Sequence, residues 1–197
     1  MDEQFLDKNE GGFSDIAKAT SINLNLDDYE DIFSDFDPTP YSERMLSEDF
    51  LYELKRAAVD REERGLALTL QLPADKRDPA HEHVILERLR THFRRHHRRL
   101  KERRNSEMKK GGLMIVAGVL FMFLATYMVY EYKQTLWTSF VVVLLEPAGW
   151  FTLWEGLELI LFRAKEVTPD LVFYRKLSSA KIVFASPLPI TPVEPKN

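Results

Sequence analysis

Glu146-Pro147 is the pair of residues in this chain with the most chemistry to offer. It lies inside an apolar run, Trp137 to Phe162, where an ionised carboxylate is costly and usually has a task. Pro147 has no amide hydrogen for the carbonyl of Val143, so the run is expected to bend or restart there. A helix starting at Pro147 and reaching Lys165 would be about 28 Å long. Glu146 would then cap it near one interface, where the helix dipole favours a negative charge. The alternative is a ring of Glu146 carboxylates in an oligomer, forming a cation site. Glu155 and Glu158 do not complete a catalytic pair, because at 100° per residue they project about 180° and about 120° away from Glu146. General acid–base work needs carboxyls that converge. Both are expected to approach the cytoplasmic interface and pair with Arg163 or other basic residues.

The remaining polar residues offer less. His92 and His96 are four apart, a spacing that can hold a metal, but no HExxH accompanies them and the surrounding cations oppose a dication. No phosphate loop, nucleophile motif or Ser/His/Asp set is present, and with no Cys there is neither thiol chemistry nor a disulfide. No catalytic residue, cofactor or metal is therefore expected.

The elements that carry Glu146 are two apolar runs, Leu113–Tyr130 and Trp137–Phe162, separated by Glu131–Leu136. Each is long enough to cross a hydrocarbon layer of about 30 Å as a helix. Gly111, Gly118 and Ala125 recur every seven residues, as do Gly149 and Gly156; such a stripe lets helices, or copies, approach closely. Charge is sorted by segment. Residues 1–66 hold 18 Asp and Glu against 7 Lys and Arg, a net −11, whereas residues 88–110 hold 11 against 2, a net +9. Arg94, Arg95, Arg98, Arg99, Arg103 and Arg104 lead into the first run, and Arg163, Lys165, Arg175 and Lys176 follow the second. The basic flanks place both termini in the cytoplasm, with the Tyr- and Trp-rich turn outside. The arginines are expected to meet anionic headgroups; no nucleic-acid fold signature accompanies them, so nucleic acid is not an expected partner.

The arms read as follows. Residues 1–40 are expected to be a disordered acidic arm. Its 26–37 stretch, LDDYEDIFSDFD, alternates acids with aromatics that would anchor on a protein partner or on the basic helix. Segment 41–79 is a helix and a strand: Ser47 caps a helix with Phe50, Leu51, Leu54 and Ala58 on one face and Gly65 at its end, and 66–72 alternates Leu as a half-buried strand. Residues 80–110 form the basic juxtamembrane helix, in which Leu86, Leu89, Phe93, His96 and Leu100 make a weak heptad seam for packing copies or covering a sheet. Residues 111–132 are the first span, and 133–165 the second with its break at Glu146-Pro147. Thr168-Pro169 starts a helix and 181–185 a strand in segment 166–186, followed by the Pro-rich tail 187–197. Two strands make a marginal sheet, so further strands are expected from neighbouring copies.

Leu144-Leu-Glu-Pro-Ala-Gly-Trp-Phe151 is similar to the pore motif of the mitochondrial calcium uniporter family at Glu146, Pro147, Trp150 and Phe151; Val142 and Val143 stand where that family has Trp and Asp. Over most of its length from Asp28, through DYEDIFSDFDPTPYSERMLSEDFLYEL, Pro73, Lys76-Arg77 and LWEGLELILF, the chain resembles an uncharacterised family of small prokaryotic two-helix membrane proteins. That resemblance implies a prokaryotic inner membrane and no particular activity. The expected fold is an integral membrane α-helical hairpin with a small cytoplasmic α/β portion. The expected function is that of a non-enzymatic, homo-oligomeric scaffold or adaptor, with a cation channel or transporter using Glu146 as the alternative.

Overall fold

A computed structural model of the chain describes residues 21–59, 61, 66–133 and 135–186. They form two compact units, one made of residues up to 96 together with those from 173 on, the other of residues 97–172.

The first unit is built on a three-stranded parallel sheet. Its strands are β1 (Ser21–Asn25), β2 (Ala67–Gln71) and β3 (Lys181–Ala185), in that spatial order. Ile22, Leu68 and Ile182 lie in one row across the sheet and Leu24, Leu70 and Phe184 in another. Parallel neighbours need crossover connections. The one between β1 and β2 carries α1 (Glu48–Ala58); the one between β2 and β3 carries both apolar helices. α1 forms where expected: Ser47 Oγ accepts from Phe50 N–H, Glu48 and Asp49 occupy the first turn, and Phe50, Leu54 and Ala58 are buried. The proposed stop at Gly65 lies outside the described residues.

The long helix α2 (Pro79–Glu131) supplies Ile85, Leu89 and Phe93 to the same core, and α4 (Thr168–Ser179) supplies Phe173 and Leu177. Of the seam expected on α2, Leu89 and Phe93 thus lie in this unit's core. Thr168 is no cap, since its hydroxyl donates to the carbonyl of Ala164 and the helix follows closely on the turn Ala164–Glu166.

Two expectations are corrected here. The acidic arm is not disordered throughout 1–40: β1 and a 3₁₀ turn at Tyr29–Ile32, closed by an Asp28/Asp31 capping box, lie within it. Residues 1–20 and the tail from 187 fall outside the described residues. The third strand therefore comes from this chain and not from a neighbouring copy. The physical reason is that Ile22, Leu26, Tyr29, Ile32 and Phe33 are all buried, which gives this segment enough apolar area to offset its ordering.

The second unit is built on a pair of helices, α2 from residue 97 on and α3 (Leu136–Glu158). Thr135 starts α3 with a capping box shared with Thr138. Both helices are long and apolar enough to cross a membrane; in their most apolar windows only 11% and 6% of the residues are buried. The expected break at Glu146-Pro147 is absent: α3 runs on through Pro147. In apolar surroundings a break would strand several backbone groups, whereas continuing forfeits one hydrogen bond. The irregularity lies further on, in a π-helical turn at Leu159–Arg163.

Candidate functional site

The two apolar helices touch through their glycines. A Cβ added to Gly118 would sit 2.6 Å from Leu153 N and 2.7 Å from Gly149 O; one added to Gly156 would sit 2.7 Å from Gly111 O and 2.8 Å from Ile115 N. Gly111 faces the Gly156 carbonyl in return, and Gly149 faces that of Gly118. All four are buried, as is Ala125. The seven-residue stripe therefore joins the two helices of one chain backbone to backbone. Gly112, one residue off the stripe, has nothing within 4 Å of its would-be Cβ.

Beyond the π turn the buried residues fall in a new register. Seven residues beyond Gly156 the stripe would reach Arg163, a cation on the packed face. One extra residue in the turn passes that place to Ala164, which is buried, with Leu171 seven further on. Arg163 is left exposed and lies 3.5 Å from Glu158 Oε1. Glu155, on the same helix, is half-buried.

Glu146 is exposed and off the glycine stripe. With α3 continuous it stands about 15 Å past Leu136 and about 18 Å short of Glu158, near the middle of the helix and not at an end. The cap-like placement expected for it does not occur. Trp150 and Trp154 stack on the outside of the same helix, ring centroids 6.4 Å apart. No Lys, Arg or His occurs in either apolar run.

On the basic stretch of α2, Arg94, Arg95, Arg98, Arg99 and Arg103 are exposed and Arg104 half-buried, and Arg98 approaches Glu102 at 3.6 Å. His92 stacks on His96 (4.2 Å), which stacks on Tyr174 (5.0 Å). Burial, then the charges of His96, Arg88 and Arg95, push His92 down to about 4, so it is neutral at neutral pH. Among the described residues no cluster of three or more His, Asp or Glu is arranged to hold a metal.

In the first unit most aromatics of the acidic segment point inward. Tyr29 and Phe33 are buried. Tyr29 Oη accepts from Asp78 N–H and donates to Glu82, whose carboxylate also takes two bonds from Arg77 at 2.7 and 3.0 Å. These anchors therefore serve the chain's own core and the start of α2. Phe36 is the exception, at 97% exposure. Its loop is rigidly made: Asp37 accepts from Met45 N–H, Thr39 N–H and the Thr39 hydroxyl, bonds that hold its carboxyl below the usual range. Beside it a cleft of about 490 Å³ is lined by Glu30, Pro40, Tyr41, Arg44, His81 and Val84. Glu30 there is paired to Arg44 at 2.6 Å and accepts from Tyr41 Oη; burial and this carboxylate push Tyr41 up to about 12.

Neither the Phe36 loop nor the π turn was anticipated from sequence. Asp37-Pro38 was a readable turn signal, and the arrival of Arg163 seven residues after Gly156 was a readable register conflict.

No protein-family model matches this chain, and no curated protein or solved structure does either.

Proposed function

We propose that this chain is an integral membrane hairpin acting as a non-enzymatic, oligomeric scaffold or adaptor, holding a small domain at the cytoplasmic face of a prokaryotic inner membrane. The observation that carries the reading is the exposure of large apolar side chains along both long helices, among them Phe123, Leu144 and Phe151. A core helix of a soluble protein hides such side chains, and exposed apolar surface of this extent calls for lipid or a partner. Pairing of β2 with β3 supports a shared side for both arms, because these strands flank the hairpin in sequence. The basic flanks make that side cytoplasmic.

Lys109 and Lys110 adjoin the apolar run and suit anionic headgroups. Arg98 and Arg99 stand about 18–20 Å before Gly111 along the continuous helix. That exceeds a headgroup layer plus a Debye length of about 8 Å, so lipid contact falls to Arg103, Arg104 and the two lysines. Phe36, fully exposed on a pre-ordered acidic loop, is the place for a protein partner.

The chain has no Cys, so single cysteines label cleanly. An impermeant maleimide applied to intact cells is expected to modify Lys133→Cys and to spare Ser186→Cys. Labelling of Ser186→Cys, or recovery of the chain in the aqueous fraction without detergent, would reject the reading.

A second reading, passage of cations along Glu146, is favoured by the position of that exposed carboxylate at mid-helix. Liposome flux lost in Glu146→Gln supports it; flux absent or unchanged rejects it.

A further inference from the structure

Glu146 sits where a membrane-spanning α3 would cross the centre of the hydrocarbon, and no cation among the described residues pairs with it. The neighbouring helix of the hairpin brings no cation to that depth, since neither apolar run contains Lys, Arg or His. The packed face of α3 is the glycine stripe, and Glu146 is exposed beside it. Lipid tails cannot solvate a carboxylate; intramembrane acids face a bundle interior or a water-filled cavity and pair with one another or with other polar groups.

The face that bears Glu146 has a seam of its own. Ser139, Val143, Glu146 and Trp150 recur at steps of four, three and four residues, the 3.5-residue spacing by which helices pack side by side, and all four are exposed. The seam has small or branched residues on one side of the acid and a large ring on the other. Copies inserted with the same orientation are related by an axis along the membrane normal, so each residue of the seam meets its own counterpart at its own depth. A second copy therefore brings a carboxyl to Glu146 without any further coincidence, whereas a foreign helix would need a matching polar group at that level.

We propose that α3 packs against α3 of a second copy along Ser139, Val143, Glu146 and Trp150, and that the two Glu146 carboxyls hold a positive charge between them, as a proton or a small hard cation. This rests on the membrane-hairpin reading above and deepens its oligomeric part: it names the face by which copies meet and the ligand class at its centre. The glycine stripe closes the hairpin within a chain; this seam joins chains.

The test uses the full chain in native membranes. Single cysteines at Val143, Trp150 and, on the far side of α3, Leu144 (62% exposed) are oxidised and run without reductant. Crosslinking to twice the chain mass at 143 and 150, several-fold above that at 144, is expected. Absence of seam crosslinks, equal yields at all three positions, or a product of any other mass overturns the proposed face. The yield at 143 is then followed against pH at fixed ions, and against Na⁺, K⁺ and Ca²⁺ at fixed pH, with and without Glu146→Gln. Dependence on pH alone identifies the charge as a proton, and dependence on an added ion identifies a metal cation. A yield indifferent to both, or the same dependence in Glu146→Gln, overturns the charge-sharing pair. Oligomers in native mass spectrometry without seam crosslinks would sink this inference and leave the scaffold standing; monomers by both measures would sink both.

Discussion

Gly118→Ala and Gly112→Ala are predicted to have opposite signs although they lie in one helix and share one chemistry. In an exposed helix interior, Ala is better than Gly by about 0.5–1 kcal/mol. Gly112 has open space, so its substitution should keep that gain. At Gly118 the new methyl would meet Leu153 N at 2.6 Å, Gly149 O at 2.7 Å and Leu153 Cβ at 2.8 Å. Ordinary contact begins near 3.4 Å, so the closest approach falls short by 0.8 Å. Two of the three atoms are backbone, which no rotamer change moves, so the helices must part. Overpacking of this kind costs about 1–3 kcal/mol, leaving Gly118→Ala destabilised by roughly 0.5–2 kcal/mol after the propensity gain. Gly156→Ala should resemble it. Gly149→Ala should be milder, because its nearest atom is the flexible Met122 Cγ, at 2.9 Å. The assay is unfolding of the detergent-solubilised protein by added dodecyl sulfate, followed by fluorescence of Trp150 and Trp154 on the partner helix. Equal midpoints for Gly112→Ala and Gly118→Ala would show that the close approach of the helices has been misread.

Further outcomes follow from the domain. Leu70→Ala removes a fully buried side chain from the central strand and should cost about 2–5 kcal/mol in thermal or chemical unfolding; a loss below about 1 kcal/mol would contradict the sheet core. His92 is held neutral in the folded protein at about 4 but ionises near 6.5 when unfolded. The unfolded chain therefore binds the extra proton between those values, and stability should fall as pH drops from about 6.5 to about 4. His92→Phe should flatten that part of the pH–stability profile; an unchanged slope refutes the assignment. Asp37 works with the opposite partner chemistry to the same sign: its folded carboxyl is held low by the Met45 and Thr39 donors, so its contribution is present above the unfolded value and lost as pH falls through the folded one. Asp37→Ala should loosen the loop, seen as faster amide exchange at Met45.

What could be read in advance was local. Ser47 with Phe50, Leu54 and Ala58 announces α1 because cap and face lie within one helix, and Leu66–Leu72 announces β2 because alternation is a two-residue signal. β1 was hidden: Ser21-Ile-Asn-Leu-Asn alternates too, but it sits in an acidic stretch whose composition argued against burial, and its pairing partner is remote. The glycine spacing was legible as a stripe, though not whether it joins two helices of one chain or two chains. Pro147 misleads because the local rule, a missing amide, is outweighed by the larger cost of ending a helix among apolar neighbours. In the sequence, only the register conflict between Gly156 and Arg163 points to the π turn.

The strand that completes the sheet comes after the hairpin in the chain. During synthesis β1 and β2 can be made and wait, but the third strand is not yet available until both greasy helices have left the ribosome. Assembly of the domain is thus ordered in time, the apolar helices first and the closing strand second. A chain stalled before β3 emerges would keep Leu68 and Leu70 beside an unfilled edge, open to chaperones or proteases, so closure of the sheet reports that both apolar helices have been made.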